Sequence, residues 1–163
     1  ALLEKTTHLI LVGWGPEEER LRAQVAALGL QSRVHFLGQR RDVPALLAVA
    51  DVYVQAHCRS EDGSIWKGPN TSQMEACAVR VPSVSTAVPM VETLIEDRVT
   101  GLLCEPNNPS DLARAVSYLL ENPEDAARMA EAARARAIER FSVDAMVETY
   151  QNLYTLCNGN KIA

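Results

Sequence analysis

An α/β domain, a parallel sheet with helices on both faces, is what this sequence predicts, and three observations carry that prediction. Short apolar runs alternate with stretches of helical periodicity from residue 8 to residue 104. The connections between them are mostly short, as in strands joined by right-handed helical crossovers. Apolar residues make up 47% of the chain and aromatic ones only 5%, with Ala, Leu and Val dominant. That composition suits helices packed on a buried sheet better than a β-sandwich. At 163 residues the chain can bury roughly two thirds of its unfolded surface, so one core in a single domain, residues 1–163, is expected.

His8 to Val12 (HLILV) forms the first strand, a short, mostly apolar run that reads as buried. It ends at Gly13-Trp14-Gly15-Pro16, a glycine turn leading into a helix. Glu17, Glu18 and Glu19 open that helix, as the macrodipole favours; Leu21, Val25 and Leu28 repeat at helical spacing, and Gly29 closes it. Val34 to Leu37 makes a second strand, stopped by Gly38. Asp42 is placed to cap a short helix carrying Val43, Leu46, Leu47 and Val49, and Asp51 to Ala56 returns as the third strand.

Cys58 to Gly68 is the one long irregular stretch, and long loops in compact domains are often functional. Asn70 to Val79 fits a helix, Pro82 to Thr86 a strand, Met90 to Ile95 a short helix and Gly101 to Cys104 a last strand. From Ser110, read as an N-cap, the pattern is helical, with a break at Asn122-Pro123, a long Ala/Arg/Glu helix read as a solvated surface element, and a fresh start at Ser142. Asn158 to Ala163 reads as a frayed tail.

The formal charge of −5 provides no basic footprint for nucleic acid and opposes attraction to anionic lipid. Peripheral membrane association of a larger parent rests only on the helix from Asp125 to Arg140, which mixes both signs of charge. Cys58, Cys77, Cys104 and Cys157 show no C-x-x-C pair, the pattern of reduced thiols in a cytoplasmic protein. No run approaches the ~20 apolar residues of a spanning helix. Ala1 to Lys5 resembles the end of a helix whose beginning is missing, so the chain is expected to be part of a longer one.

Ligands of open α/β sheets bind at the carboxyl ends of strands, beside helix N-termini whose N–H groups suit phosphate. That rule selects Gly13 to Pro16, Gly38 to Arg41, His57 to Thr71 and Thr86 to Met90. Glu18 replaces the third glycine of a G-x-G-x-x-G fingerprint, so the first turn is not a NAD site. Gly13 and Gly15 either form a tight turn alone or also contact a ligand, and Trp14 either stacks on a base or covers the core. Lys67 to Glu75 (KGPNTSQME) carries more chemistry. Asn70, Thr71 and Ser72 would present amides at a helix start, and Glu75 in the second turn is either an ordinary surface residue or an acceptor for two ribose hydroxyls. Glu61-Asp62 is read as a solvated acidic turn. His57 reads as structural more than donor-facing, and His8 and His35 as strand residues with no partner in sequence.

These segments carry a resemblance. HLILVGWGPEEERL, RVHFLGQRRDVPALLAVADVYVQ, KGPNTSQMEACAVRVPSVST, VPMVETLIEDRVTGLLCEPNNPSDLARAV and ERFSVDAMVETYQNLY resemble, in order and spacing, the C-terminal domain of retaining glycosyltransferases of the sucrose synthase and mannosyltransferase type. The resemblance implies a Rossmann-like half of a GT-B fold with extra C-terminal helices. It implies a partner too, an N-terminal acceptor-binding domain of the same protein, facing it across the site. The ligand would be a nucleoside-diphosphate sugar acting as donor substrate, with no separate cofactor and no metal; the sequence has no D-x-D motif. The family's E-x7-E motif falls on Lys67 and Glu75, the second position gripping the ribose and the first meeting the donor sugar. Backbone at Gly38, Gln39 and Arg40 would meet the base. Gly68, Pro69, Asn70 and Thr71 would meet sugar and phosphate, and Val88 to Val91 would close the phosphate pocket.

Three departures stand out: Lys67 replaces glutamate, Arg80 the glycine of an A-C-G-V-P turn, and Met90 the glycine of V-P-G. A lysine cannot accept hydrogen bonds from sugar hydroxyls. The family also uses an arginine and a lysine from a loop preceding this chain, so the domain alone should bind nucleotide weakly and transfer nothing. Two other readings stay open, a degenerate non-catalytic module and a sugar-nucleotide 2-epimerase.

Overall fold

The computed structural model describes residues 2–4, 6–57 and 70–159. It is an α/β structure of parallel strands flanked by helices, in two compact units, residues 1–46 and 47–163.

In the first unit β1 (Leu9–Val12) pairs in parallel with β2 (Val34–Gly38), and α1 (Glu18–Ala27) connects them. The pairing slips by one residue between Leu11 and Val12. Glu18 and Glu19 occupy the first turn of α1, and Gly29 (φ +66°) ends the helix in the left-handed conformation that suits a glycine C-cap. β1 departs from the expected burial: Leu9, Ile10 and Val12 are each more than 40% exposed. Its second edge carries no strand among the described residues.

α2 (Val43–Ala48) follows. Asp42 does stand at its start, where its carbonyl accepts from the N–H groups of Ala45 and Leu46. Its carboxylate, however, is taken by Arg40 rather than by the helix.

The second unit holds the sheet β3-β4-β5, made of Tyr53–Gln55, Ser83–Thr86 and Leu102–Cys104, all parallel. β4 is paired on both edges and buried at every position. Its residues are Ser-Val-Ser-Thr, and each hydroxyl is engaged: Ser83 donates to Val81 O, Ser85 to Gln55 O, and Thr86 Oγ1 accepts from His57 N. α3 (Thr71–Ala78) contacts β3 and β4, and α4 (Pro109–Glu121) contacts β4 and β5. A 3-10 turn at Val91–Thr93 stands in place of the expected short helix. Gly101, just before β5, admits no side chain, because a Cβ there would lie 2.7 Å from the carbonyl oxygen of Ser83.

α5 (Pro123–Phe141) corrects the reading of a solvated surface element. Ala126, Met129, Ala130, Ala133 and Ala137 are buried along one face, and Ala133 and Ala137 form a core cluster with Cys77, Leu94 and Ile95. Alanine lets two helix backbones approach closely, so the Ala periodicity marks a packing seam between α5 and α3. Asn108, not Ser110, caps α4: its side chain accepts from Asp111 N, and Pro109 fills the first helical position, where no N–H is required. α6 (Val143–Gly159) begins after Ser142, as expected, and continues through Asn158 and Gly159, which the sequence reads as frayed; residues 160–163 lie outside the described residues.

Candidate functional site

Each unit holds a group of expected site residues of its own. In the first, the two glycine turns at the carboxyl ends of β1 and β2 meet directly: Gly13 N–H donates to the Gly38 carbonyl at 2.8 Å. Both glycines have positive φ, +126° and +63°, a conformation that side chains disfavour. Beside them lies a concavity of about 270 Å³ lined by Leu11, Val12, Trp14, Glu17, Leu21 and Phe36. Trp14 is 79% exposed, so it does not cover a core. After Gly38 and Gln39, Arg40 is gripped bidentately by Asp42 at 2.8 and 2.6 Å. This pairing holds the guanidinium pKa above, and the carboxyl pKa below, their usual ranges.

In the second unit the expected cradle begins at α3. Asn70 is its N-cap: Oδ1 accepts from Gln73 N at 2.8 Å, so that amide is filled by the chain itself. The N–H groups of Thr71 and Ser72, the two ahead of it, have no acceptor among the described residues. Glu75, one turn on, is exposed and carries no hydrogen bond or ion pair among the described residues. A carboxylate held on a rigid helix with its lone pairs in water is suited to accept from a vicinal diol.

The cap belongs to a network the sequence reading missed. Tyr53 Oη bonds Gln55 Oε1 at 2.6 Å and Ser72 Oγ at 2.8 Å, while Asn70 Nδ2 donates to Gln55 Oε1 at 2.5 Å. Tyr53 and Gln55 lie two apart in β3, so strand alternation puts both side chains on one face. Polar residues at that spacing in an otherwise apolar strand were the available signal. Burial is the main cause of the raised Tyr53 pKa, which keeps its hydroxyl a neutral donor.

His57 follows β3, and its backbone N–H donates to Thr86 Oγ1 at 2.9 Å, tying the carboxyl ends of β3 and β4. Burial lowers its imidazole pKa, favouring the neutral ring. Val88 and Val91 are buried, and Met90 between them adopts φ +68°. Arg80 has φ +63°. Both departures from glycine therefore occupy left-handed conformations, the physical reason glycine is common there. Cys58, Glu61, Asp62, Lys67, Gly68 and Pro69 lie outside the described residues. Among the described residues no three His, Cys, Asp or Glu side chains gather as metal ligands. His8 and His35, without a visible partner in sequence, bond each other.

Comparison with known proteins follows the same lines. Residues 1–136 match the family described as glycosyl transferases group 1. The chain is 31% identical over 151 residues to an N-acetyl-alpha-D-glucosaminyl L-malate synthase of Bacillus anthracis, covering 93% of this chain and 38% of that protein. It is 30% identical to O-antigen chain mannosyltransferase C of Escherichia coli, over 90% of this chain and 39% of the relative. The Anabaena HepE structure in complex with UDP-glucose superposes with a TM-score of 0.80 at 27% identity, covering 96% of this chain and 42% of that one. Sucrose-phosphate synthase of Thermosynechococcus elongatus gives 0.77 at 26% identity, covering 93% and 39%. The chain thus spans about two fifths of the length of these relatives.

Proposed function

The chain belongs to the glycosyl transferases group 1 family, and we propose that it is the donor-holding part of a longer enzyme that moves a glycosyl group from a nucleoside diphosphate to a hydroxyl acceptor. The observation that carries this reading is the start of α3, where two amides and then a carboxylate have no hydrogen-bond or ion-pair partner among the described residues. Breaking the bond at the anomeric carbon leaves negative charge on the departing diphosphate. The N–H groups of Thr71 and Ser72, at the positive end of α3, would receive that charge. Glu75 would hold the adjoining ribose through its two hydroxyls, and backbone at Gly38, Gln39 and Arg40 would contact the base. Gly13 and Gly15 would let a ligand approach the turn after β1. HepE has been solved in complex with UDP-glucose, and we extend the nucleotide-sugar class to this chain.

The hydroxyl acceptor would be held by an N-terminal domain of the same polypeptide, and we infer a retaining, metal-independent transfer in a cytoplasmic enzyme. The isolated 163-residue chain would not catalyse it, because transfer needs both reactants fixed with water excluded. Lys67 favours a second reading, a binding module without transfer, since a cation stands where the family places an acceptor of sugar hydroxyls.

The test uses the full-length parent with a panel of UDP- and GDP-sugars and measures nucleotide release with and without acceptor. Acceptor-dependent release supports transfer, epimer formation without acceptor indicates an epimerase, and silence indicates the module. Glu75→Ala should weaken UDP or GDP binding by about tenfold to a hundredfold, the scale of a lost charged hydrogen-bond acceptor. Unchanged affinity in that variant would remove Glu75 from the site.

A further inference from the structure

His8 and His35 form a cluster that the proposed donor site does not use. His8 precedes β1 by one residue, and His35 is in register with Ile10, two residues on from His8. Alternation along β1 therefore brings both imidazoles to one face of the strand pair. His8 Nδ1 and His35 Nε2 are 3.0 Å apart, with the ring planes 14° from parallel and the ring centres 5.2 Å apart. A nitrogen–nitrogen distance that short beside a centre separation that long puts the rings edge to edge, sharing one proton. Both side chains are exposed, and neither outward nitrogen has another hydrogen bond among the described residues. The backbone leading into His8 is anchored: the Arg33 guanidinium donates to the carbonyls of Thr7 at 3.0 Å and Glu4 at 2.6 Å.

We propose that His8 and His35 are a surface site for a divalent transition metal of the zinc or nickel class. Two imidazole nitrogens at about 2.0–2.1 Å from one metal lie about 2.9 to 3.4 Å apart, between octahedral and tetrahedral angles. The observed 3.0 Å falls in that interval. Entry of the metal requires two inward lone pairs. The ring that donates the shared proton would transfer it, through water, to its own outward nitrogen, so no net charge is lost and both rings remain neutral ligands. Exposed side chains have room for the small ring rotations that turn both lone pairs toward one point. Among the described residues no third metal-ligating side chain joins them, so water or an external ligand completes the shell. Imidazole donors select zinc, nickel or copper over magnesium and calcium. The site sits at the start of β1, at the opposite end of that strand from Gly13, and would fasten β1 to β2.

The experiment titrates the tag-free 163-residue chain with ZnCl2, NiCl2 and MgCl2 while following the ring signals of all three histidines. Zinc and nickel should saturate one-to-one below about 1 mM, moving or broadening His8 and His35 together and leaving His57 unchanged. Magnesium should do nothing. His8→Asn and His35→Asn, exposed substitutions that keep the fold, should each weaken binding at least about tenfold. Binding that survives both substitutions, a response confined to one ring, or no saturation in that range overturns the proposal.

Discussion

At single residues, two of the three departures the sequence displays, Arg80 and Met90, occupy strained backbone. Arg80 and Met90 both hold positive φ, a conformation that costs an L-residue roughly 1 kcal/mol or more. They differ in what offsets the cost. Arg80 Nε donates to Glu131 Oε2 at 2.5 Å, an exposed pair worth little but not nothing. Met90 is 56% exposed and its side chain has no comparable partner among the described residues. Met90→Gly should therefore stabilise the fold by about 1 kcal/mol and Arg80→Gly by less, read as shifts in urea midpoint; a loss of stability in Met90→Gly would contradict the strain argument. Two thiols give a second residue-scale outcome. Burial raises the pKa of both Cys77 and Cys104 from 9.0 to about 11. The folded state holds these protons more tightly than the unfolded one, so their contribution is complete below about pH 9 and is lost as pH rises toward 11. Urea midpoints should fall across that window, and Cys77 and Cys104 should resist iodoacetamide at pH 8 while exposed Cys157 reacts. A flat alkaline profile, or equal labelling of all three, would count against it.

At the scale of elements, most of the order was legible because apolar period and punctuation agree. β2, β4, β5 and α3 fall within a residue or two of their expected places. The misses have two causes: competition among side chains within two residues of a helix start, and packing against a helix distant in sequence. Asp42 fits a helix cap, but a nearby guanidinium outcompetes the helix for its carboxylate. Ser110 is a good capping residue, but Asn108 followed by proline positions the helix start two residues earlier. The Ala-rich stretch of α5 looks solvated because Arg and Glu separate its alanines, and only the partner helix reveals the seam. In the candidate site, the α3 cap was legible at Asn70, whereas the role of Tyr53 and Gln55 in holding that cap was not. A test follows for this element. Asn70→Ala removes the cap, worth about 1 kcal/mol, and takes one of two donors from half-buried Gln55 Oε1, which keeps Tyr53 Oη. Asn70→Asp keeps the cap acceptor and should cost less than Asn70→Ala in thermal unfolding. Equal losses in the two variants would mean that the cap contributes little.

At the scale of the whole molecule, the two units differ in how they are held together. Every buried residue among those described lies at position 47 or beyond. α1 buries none of its residues; Leu21 on its apolar stripe is 37% exposed, and Leu28, just past its end, 53%. β1 has an apolar, two-faced sequence with only one paired edge among the described residues. Hydrophobic burial is the dominant favourable term in folding, so a segment without it relies on backbone hydrogen bonds of modest net worth. Residues 1–46 should therefore open at lower free energy than the sheet and helices that follow. The same argument applies to α6, where Met146, Val147, Tyr150, Leu153, Tyr154 and Leu156 are each more than 40% exposed. Native-state hydrogen exchange measures this directly. Amides of β4, α3 and α5 should exchange near the global unfolding free energy, while those of α1, β1, β2 and the last two turns of α6 exchange several kcal/mol sooner, on the order of the stability of a marginal element. Uniform protection across residues 9–38 and 83–141 would show that the first unit is held by something other than its own burial.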